Sequence, residues 1–484
     1  MRYPRIILAS VLSILVLSVI SNAKPDPNRF EPLLKTNWYG VYLQGMKLGY
    51  AEMTFEKIDS PVNGWRQSMD MTVIMKAADQ EIKMTTSEVR IFKAPTGELY
   101  SIRTETESPS GNMVVNGYTV GDSFAVKAEI GGQESDSKFA SPVDFLDSTL
   151  VAEMRIISGK AVVGDSIITS SFQASPPLLG KVTQIIRFKS KSDYVFNGLP
   201  DSIYSVEIYI KEANITMPCK IDSYGNYIEL GFGNVMTFKL EDEEIAKRND
   251  KPMDILLDNL VTPDKKIENV SSLKELKLEI SGIDSTGLLT TSMQKIKPNK
   301  DEFEVTISTQ KIPNNSPNIP ITDEAECLKS DMLTQSDNPR IRALADSIVA
   351  GEKNSWEAAK KINAWVYANI EKKFTPDLSN ALQTLNSRQG DCGEHTALMV
   401  ALLRAAGIPA RPIVGLMYWE PGNGFGYHAW VEAYVGHWVQ MDPTWNQELA
   451  SPAHLALTRG DILSQASVLM NVMGKLKISL LATK

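Results

Sequence analysis

A chain of 484 residues exceeds what one hydrophobic core organises, so two or three domains are expected. With 43% hydrophobic and 22% charged residues, the composition is that of a folded globular protein and excludes disorder on a large scale. A net charge of −8 with no Lys/Arg-rich run argues against a nucleic-acid partner and, more weakly, against binding to anionic membrane surfaces.

At the start of the chain, Arg2 and Arg5 precede an apolar run over 6–20, and Ser21-Asn22-Ala23 supplies small residues. This pattern reads as a secretory signal over 1–23, cleaved after Ala23, which implies export to the periplasm or the extracellular space. The rival is an uncleaved anchor, but the run is short for a bilayer span and is broken by Ser10, Ser13 and Ser18. Export makes the cysteines informative. Cys219, Cys327 and Cys392 are odd in number, so at least one stays unpaired or pairs between molecules. If Cys219 pairs with Cys327, Cys392 is the free thiol, although both also suit buried apolar positions.

Residues 24–240 read as a large, mostly antiparallel β domain. Segments such as QEIKMTTSEVRIF and DSIYSVEIYIKEANITMPCKI are rich in Val, Ile, Thr and Tyr and are separated by Gly, Asn, Asp and Pro. A short helix is expected at 143–156. Residues 241–320 read as a charged, Pro-containing connector with a small β element, LKELKLEI and EFEVTIST. The stretch KIPNNSPNIPIT (311–322) marks a boundary.

From 321 to 484 the periodicity turns helical. Ile341, Leu344, Ala345, Ile348 and Val349 share a face ahead of Gly351, and Asn354 with Glu357 has capping-box spacing. A helix after Cys392 runs to Ala406, where Gly407 and Pro409 end it. It is apolar almost all round and therefore central. Three strand-like segments follow, RPIVGLMYW, YHAWVEAYV and HWVQMDPT. The region reads as α+β.

Cys392 lies in the first turn of its helix, flanked by Gly390, Asp391, Gly393 and Glu394. Metal binding with His395 at i, i+3 would need further ligands, and no second Cys or His pair is near, so no metal or cofactor is assigned. A thiol at a helix N-terminus feels the positive end of the dipole, and the unpaired N–H groups there suit an oxyanion. A nucleophilic cysteine also needs a base, and the base needs an orienting partner. If YHAWVEAYV and HWVQMDPT form a hairpin with loop 434–436, residue 433 pairs with 437 and His428 falls opposite Asp442, with Cβ atoms about 5 Å apart. His437 then turns to the other face. Asp391 and Glu394 oppose thiolate formation unless their charges point to solvent.

The run from about Arg340 to Gln447 resembles the transglutaminase-like superfamily in its bacterial form. The likeness is carried by WEAAKKINAWVYANI, GDCGEHTALMVALLRAAGIPAR and YHAWVEAYVGHWVQMDPTWNQ in that order. The resemblance implies a papain-like core with Cys392 as nucleophile, His428 as general base and then acid, and Asp442 as the orienting residue. It implies acyl transfer from an amide or peptide carbonyl through a thioester, with a peptide or protein as substrate. Hydrolysis is the expected outcome, with protein cross-linking or a non-catalytic envelope scaffold as alternatives. Gln383 and Gln389 are candidate second oxyanion donors. Residues 419–426 are either a lid or a connecting loop, and Trp430 and Trp445 flank the triad in packing roles. The opening of the β domain resembles half-barrel envelope domains, so a cell-envelope ligand (lipid-like, peptide or glycan) is one expectation for it.

Overall fold

The structure is a computed structural model that describes residues 26–484 except 27, 78–79, 110, 131–132, 176–177, 197–198, 233–235, 250–253, 255–257, 285–286, 312–313, 332, 374–379, 461–467, 469–471 and 473. The secretory signal expected at 1–23 lies outside the described residues. Among these, no helix is long and apolar enough to cross a membrane.

The N-terminal region forms one fourteen-stranded antiparallel sheet between Lys35 and Glu241, as the alternating sequence pattern predicts. Eight strands follow one another as a meander from Lys35–Leu43 to Gln133–Ala140. Six more run from Ser166–Ser175 to Met236–Glu241, and this last strand pairs with the first, Val41 opposite Phe238. Among the described residues the two ends of the sheet are not hydrogen-bonded to each other, but Phe172 lies 5.2 Å from both Phe124 and Phe139, so the sheet curls until its edges meet through aromatic side chains. Gly117 lies against this interior: a Cβ there would be 2.5 Å from the Phe124 ring. Two short helices, Leu146–Thr149 and Val151–Ile157, occupy the region expected to be helical and put Leu146, Ala152 and Ile156 into the core.

The connector carries more structure than its composition suggested. Glu275–Ser281, Gln294–Asn299 and Glu302–Ser308 form a small sheet whose fourth strand, Lys477–Thr483, comes from beyond the whole helical region. Strand 275–281 alternates between half-buried and buried residues, with Leu276, Leu278 and Ile280 fully buried against the C-terminal domain.

In that domain, helices α1 (Pro339–Val349), α2 (Ser355–Asn369), α3 (Ala381–Ser387) and α4 (Cys392–Ala405) pack on a sheet of β1 (Ala410–Trp419), β2 (Gly424–Tyr434), β3 (Trp438–Met441) and β4 (His454–Arg459), in the order β3-β2-β1-β4. α1 ends at Ala350 in the left-handed region, followed by Gly351 at φ +79, and the Asn354 side chain accepts from Trp356 and Glu357 N–H at the start of α2. Residues Leu398 to Leu403 of α4 have no solvent exposure, the signature of a helix at the centre of a core. Val431 and Ala433 of β2 face the helices, whereas Phe425 and Trp430 face the small sheet. β4 was not read from the sequence. Its run HLALTR is buried almost throughout, so no alternation betrays it.

Candidate active site

Asp391 is the N-cap of α4. Its Oδ1 accepts from Gly393 N–H at 2.8 Å, and the Glu394 carboxylate reaches back to Asp391 N–H at 2.8 Å, completing a capping box. Glu394 is thereby buried rather than turned to solvent, and both acids are committed to the helix start. Cys392 follows at the first helical position, half-buried. Burial, then the negative charge of Asp391, pushes its thiol well above the ordinary cysteine range, and Glu394 and Asp442 add to this; the N–H of Ala429 works in the opposite direction. The helix dipole therefore does not by itself deliver a thiolate.

His395 turns away from this chemistry. Its Nδ1 donates to the Asp391 carbonyl at 2.6 Å, and burial lowers its basicity.

The β2–β3 hairpin differs in register from the expectation. Tyr434 pairs with Trp438, not 433 with 437, because the three-residue loop is Val435-Gly436-His437, with Gly436 at φ +96 in its middle. The shift is two residues, so every side chain keeps its face. His428 and Asp442 meet diagonally instead of directly: His428 Nε2 donates to Asp442 Oδ2 at 2.8 Å. A carboxylate can only accept, so Nε2 carries the proton and Nδ1 of the neutral ring holds the lone pair. His437 is an exposed loop residue.

Sequence reasoning missed His454. From β4, its Nε2 donates to the same Asp442 Oδ2 at 3.1 Å, while its Nδ1 lies 3.1 Å from the Ser451 carbonyl. Thr444 N–H donates to Oδ1 at 2.8 Å. Burial alone would raise the Asp442 carboxyl, but His428 and then His454 more than reverse this and hold it well below the usual carboxylate range. Trp430 forms the platform beneath. It stacks on His428 at 6.0 Å, meets His454 edge-on at 5.0 Å, and donates its indole N–H to Gln440 Oε1 at 2.8 Å. Gly415 pairs with His428 in the ladder; a Cβ there would lie 2.1 Å from the Leu455 carbonyl oxygen and 2.8 Å from Trp430. The atoms of His428, Asp442 and His454 lie within 4.8 Å of one another, a donor set suited to a divalent ion. At hydrogen-bond distances the set is satisfied without one.

Cys392 and His428 line one cleft of about 350 Å³, together with Asp391, Tyr427, Thr444 and Trp445. Residues 419–426 form one of its walls. Tyr418 Oη donates to Asn423 at 2.7 Å, Phe425 exchanges both backbone hydrogen bonds with Val261 at 2.9 Å, and Leu260 packs on Gly422 and Gly424. These contacts hold the stretch against Tyr418 and the segment at 260–261. Neither glutamine proposed as oxyanion donor lines the cleft: Gln383 caps α3 with Asn380, and Gln389 bridges Glu371 and Lys373. All three cysteines are free, Cys219 in the large sheet and Cys327 in a 3₁₀ turn, so the pairing considered from the sequence is not made.

Residues 342–443 match the family model of the Transglutaminase-like superfamily. An uncharacterised protein, YebA of Bacillus subtilis, is 22% identical over 367 residues, covering 64% of this chain and 44% of that protein. A protein-glutamine gamma-glutamyltransferase of Pseudomonas aeruginosa is 33% identical over 128 residues, 23% of this chain and 19% of its own length. The chain thus spans less than half of either curated relative. Among solved structures, a candidate cysteine protease from Cytophaga hutchinsonii covers 44% of this chain and 86% of its own at 20% identity and a TM-score of 0.30. A β-barrel-like protein of unknown function from Brucella abortus covers 43% of this chain and 95% of its own at 12% identity and a TM-score of 0.34. This chain carries a transglutaminase-like domain at 342–443, behind a large antiparallel sheet.

Proposed function

We propose that the protein is a cysteine-dependent acyl-transfer enzyme that hydrolyses a peptide or amide bond, with Cys392, His428 and Asp442 as its triad. The observation that carries this reading is the pair of side chains lining the Cys392 cleft: an imidazole whose Nε2 is tied to a buried carboxylate, leaving Nδ1 as the basic nitrogen. Nδ1 takes the thiol proton as sulfur attacks the carbonyl carbon. The tetrahedral oxyanion is met by the backbone N–H of Cys392 at the start of α4. The C–N bond then breaks, the leaving amine takes the proton from His428, and a thioester remains on Cys392. Water, deprotonated by His428, attacks the thioester and releases the acid and the thiol.

Because burial keeps the resting thiol protonated, reactivity at neutral pH depends on His428. A thiol-directed, amide-type electrophile is expected to label Cys392 at pH 7 about 10²-fold faster in the wild type than in His428→Ala, with Asp442→Ala also impaired. Equal rates in all three would leave only a scaffold role. Cross-linking is the second reading, favoured by the transferase name of the Pseudomonas relative. Incorporation of a labelled amine into a Gln-containing peptide, in place of hydrolysis, would select it. Export by the segment 1–23 with cleavage after Ala23 belongs to the same proposal, and N-terminal sequencing together with fractionation of the host tests it: a mature end at Lys24 outside the cytoplasm supports it, and an intact Met1 end on cytoplasmic protein overturns it.

A further inference from the structure

The cleft beside Cys392 has a charge pattern that hydrolysis alone does not explain. Part of its lining is apolar: Leu260, carried in from the segment that follows the large sheet, lies against Gly422, Gly424 and Gly426, and Met417 and Trp419 extend this surface. The lining also holds two ammonium groups, Lys372 and Lys373, against one carboxylate, Asp391, whose Oδ1 already accepts from Gly393. Lys372 Nζ rests 4.3 Å from the Trp445 ring centre and 4.8 Å from that of Tyr367, and Lys373 Nζ donates to Gln389 at 3.3 Å. Among the described residues neither lysine has a carboxylate within ion-pair distance. In a chain of net charge −8, the most abundant partners for a lysine are carboxylates of the chain itself. Among the described residues Lys372 is held over aromatic rings and Lys373 by an amide, so both are open to a carboxylate that enters the cleft.

We infer that the acyl donor is an acidic peptide: it carries a carboxylate within one or two residues of the amide that Cys392 attacks, and beside it an apolar side chain that rests on Leu260 and Met417. The carboxylate pairs with Lys372 and Lys373, and the apolar group displaces water from the Leu260 surface. The carboxylate is either an acidic side chain or the free end of a short peptide. For turnover, though not for binding, this inference rests on the acyl-transfer reading.

The test separates the two. The Cys392→Ala protein binds but cannot form a thioester, so peptide affinity is measured on it by calorimetry. The probes are a short apolar-acidic peptide, its Gln-for-Glu isostere, its C-terminal amide and a Lys-for-Glu version. The acidic peptide is expected to bind about tenfold more tightly than the Gln isostere at low salt, with the difference shrinking at high ionic strength. Loss of affinity only in the C-terminal amide assigns the carboxylate to a chain end; loss only in the Gln isostere assigns it to a side chain. In Lys372→Glu/Lys373→Glu the order is expected to reverse, with Lys372→Gln/Lys373→Gln losing the preference without reversing it. Both positions are exposed, so melting curves should match the parent. Equal binding of acidic and neutral peptides, tighter binding of the Lys version, or no binding of any peptide overturns the inference. Preferential binding of the acidic peptide with no turnover of it by the wild type upholds the binding part of the inference and overturns its identification as the acyl donor together with the acyl-transfer reading.

Discussion

Asp442 Oδ2 accepts from two imidazoles at once, His428 at 2.8 Å and His454 at 3.1 Å, and this shared oxygen sets the geometry of the site. His454 has no solvent-exposed surface of note and no route to a substrate, so it acts through Asp442 as a positioning residue. Replacing it by Leu, which cannot donate, is expected to lower kcat by about tenfold, near 1.4 kcal/mol of transition-state stabilisation, with KM little changed. His454→Gln, whose amide still donates, is expected to recover most of the loss; equal damage from both would mean a packing role alone. Asp442→Asn should cost more, about 10²-fold or greater in kcat, because it removes the acceptor that fixes the His428 tautomer. The His428–Asp442 neighbourhood was legible in the sequence because a hairpin constrains the parity of its two strands, and parity survived an error of two in the register. His454, Leu260 and Lys372 were not legible. Leu260 and Lys372 reach the cleft, and His454 reaches Asp442 behind it, through pairing or packing between segments distant in the chain, which no local pattern encodes.

Helix ends and short helices carry the next set of consequences. The capping box at α4 was half visible: Asp391 and Glu394 stood out as a hazard to a thiolate, and the structure shows them spent on the backbone of the helix that presents Cys392. In the large sheet the helix Val151–Ile157 turns Glu153 inward, 5% exposed, with Oε2 lacking a partner. Burial pushes this carboxyl up to about 7, against the opposing pull of its own backbone N–H, the Tyr227 hydroxyl and Lys35. An acid whose folded value is raised stabilises the fold fully below its ordinary value and loses that contribution as pH rises through the folded one. The large sheet should therefore weaken between about pH 4.5 and 7, by on the order of 3 kcal/mol. Glu153→Gln is expected to flatten that dependence and to raise the denaturant midpoint at pH 8, as followed by urea unfolding at pH 5 and 8. An unchanged pH slope in the variant would assign the dependence to other groups.

Across the whole molecule, the two halves meet at the segment that supplies Leu260. Gln44, at a turn of the large sheet, donates to Asn259 at 3.1 Å, one residue before the leucine that lines the cleft. The large sheet was readable from alternation, whereas its curling was not, because closure depends on Phe172 meeting Phe124 and Phe139 across strands far apart in sequence. The small sheet was half readable for the same reason: its fourth strand, Lys477–Thr483, lies beyond the transglutaminase-like domain. Deleting 477–484 is expected to lower stability by at least about 3 kcal/mol, from the loss of Ile478 and Leu480 against the shared core, seen as a lower melting temperature and faster amide exchange in 275–281. A melting curve like that of the full chain would show the strand to be dispensable. The same pairing has a mechanical side. The chain enters this ladder at the Leu276–Thr483 rung and leaves it there too, so residues 282–476 hang from it as a closed loop. Tension applied through the flanking chain would load two places at once: the outer rung of this ladder, Leu276–Thr483, and, through the Val261–Phe425 backbone pair, the strand that carries His428.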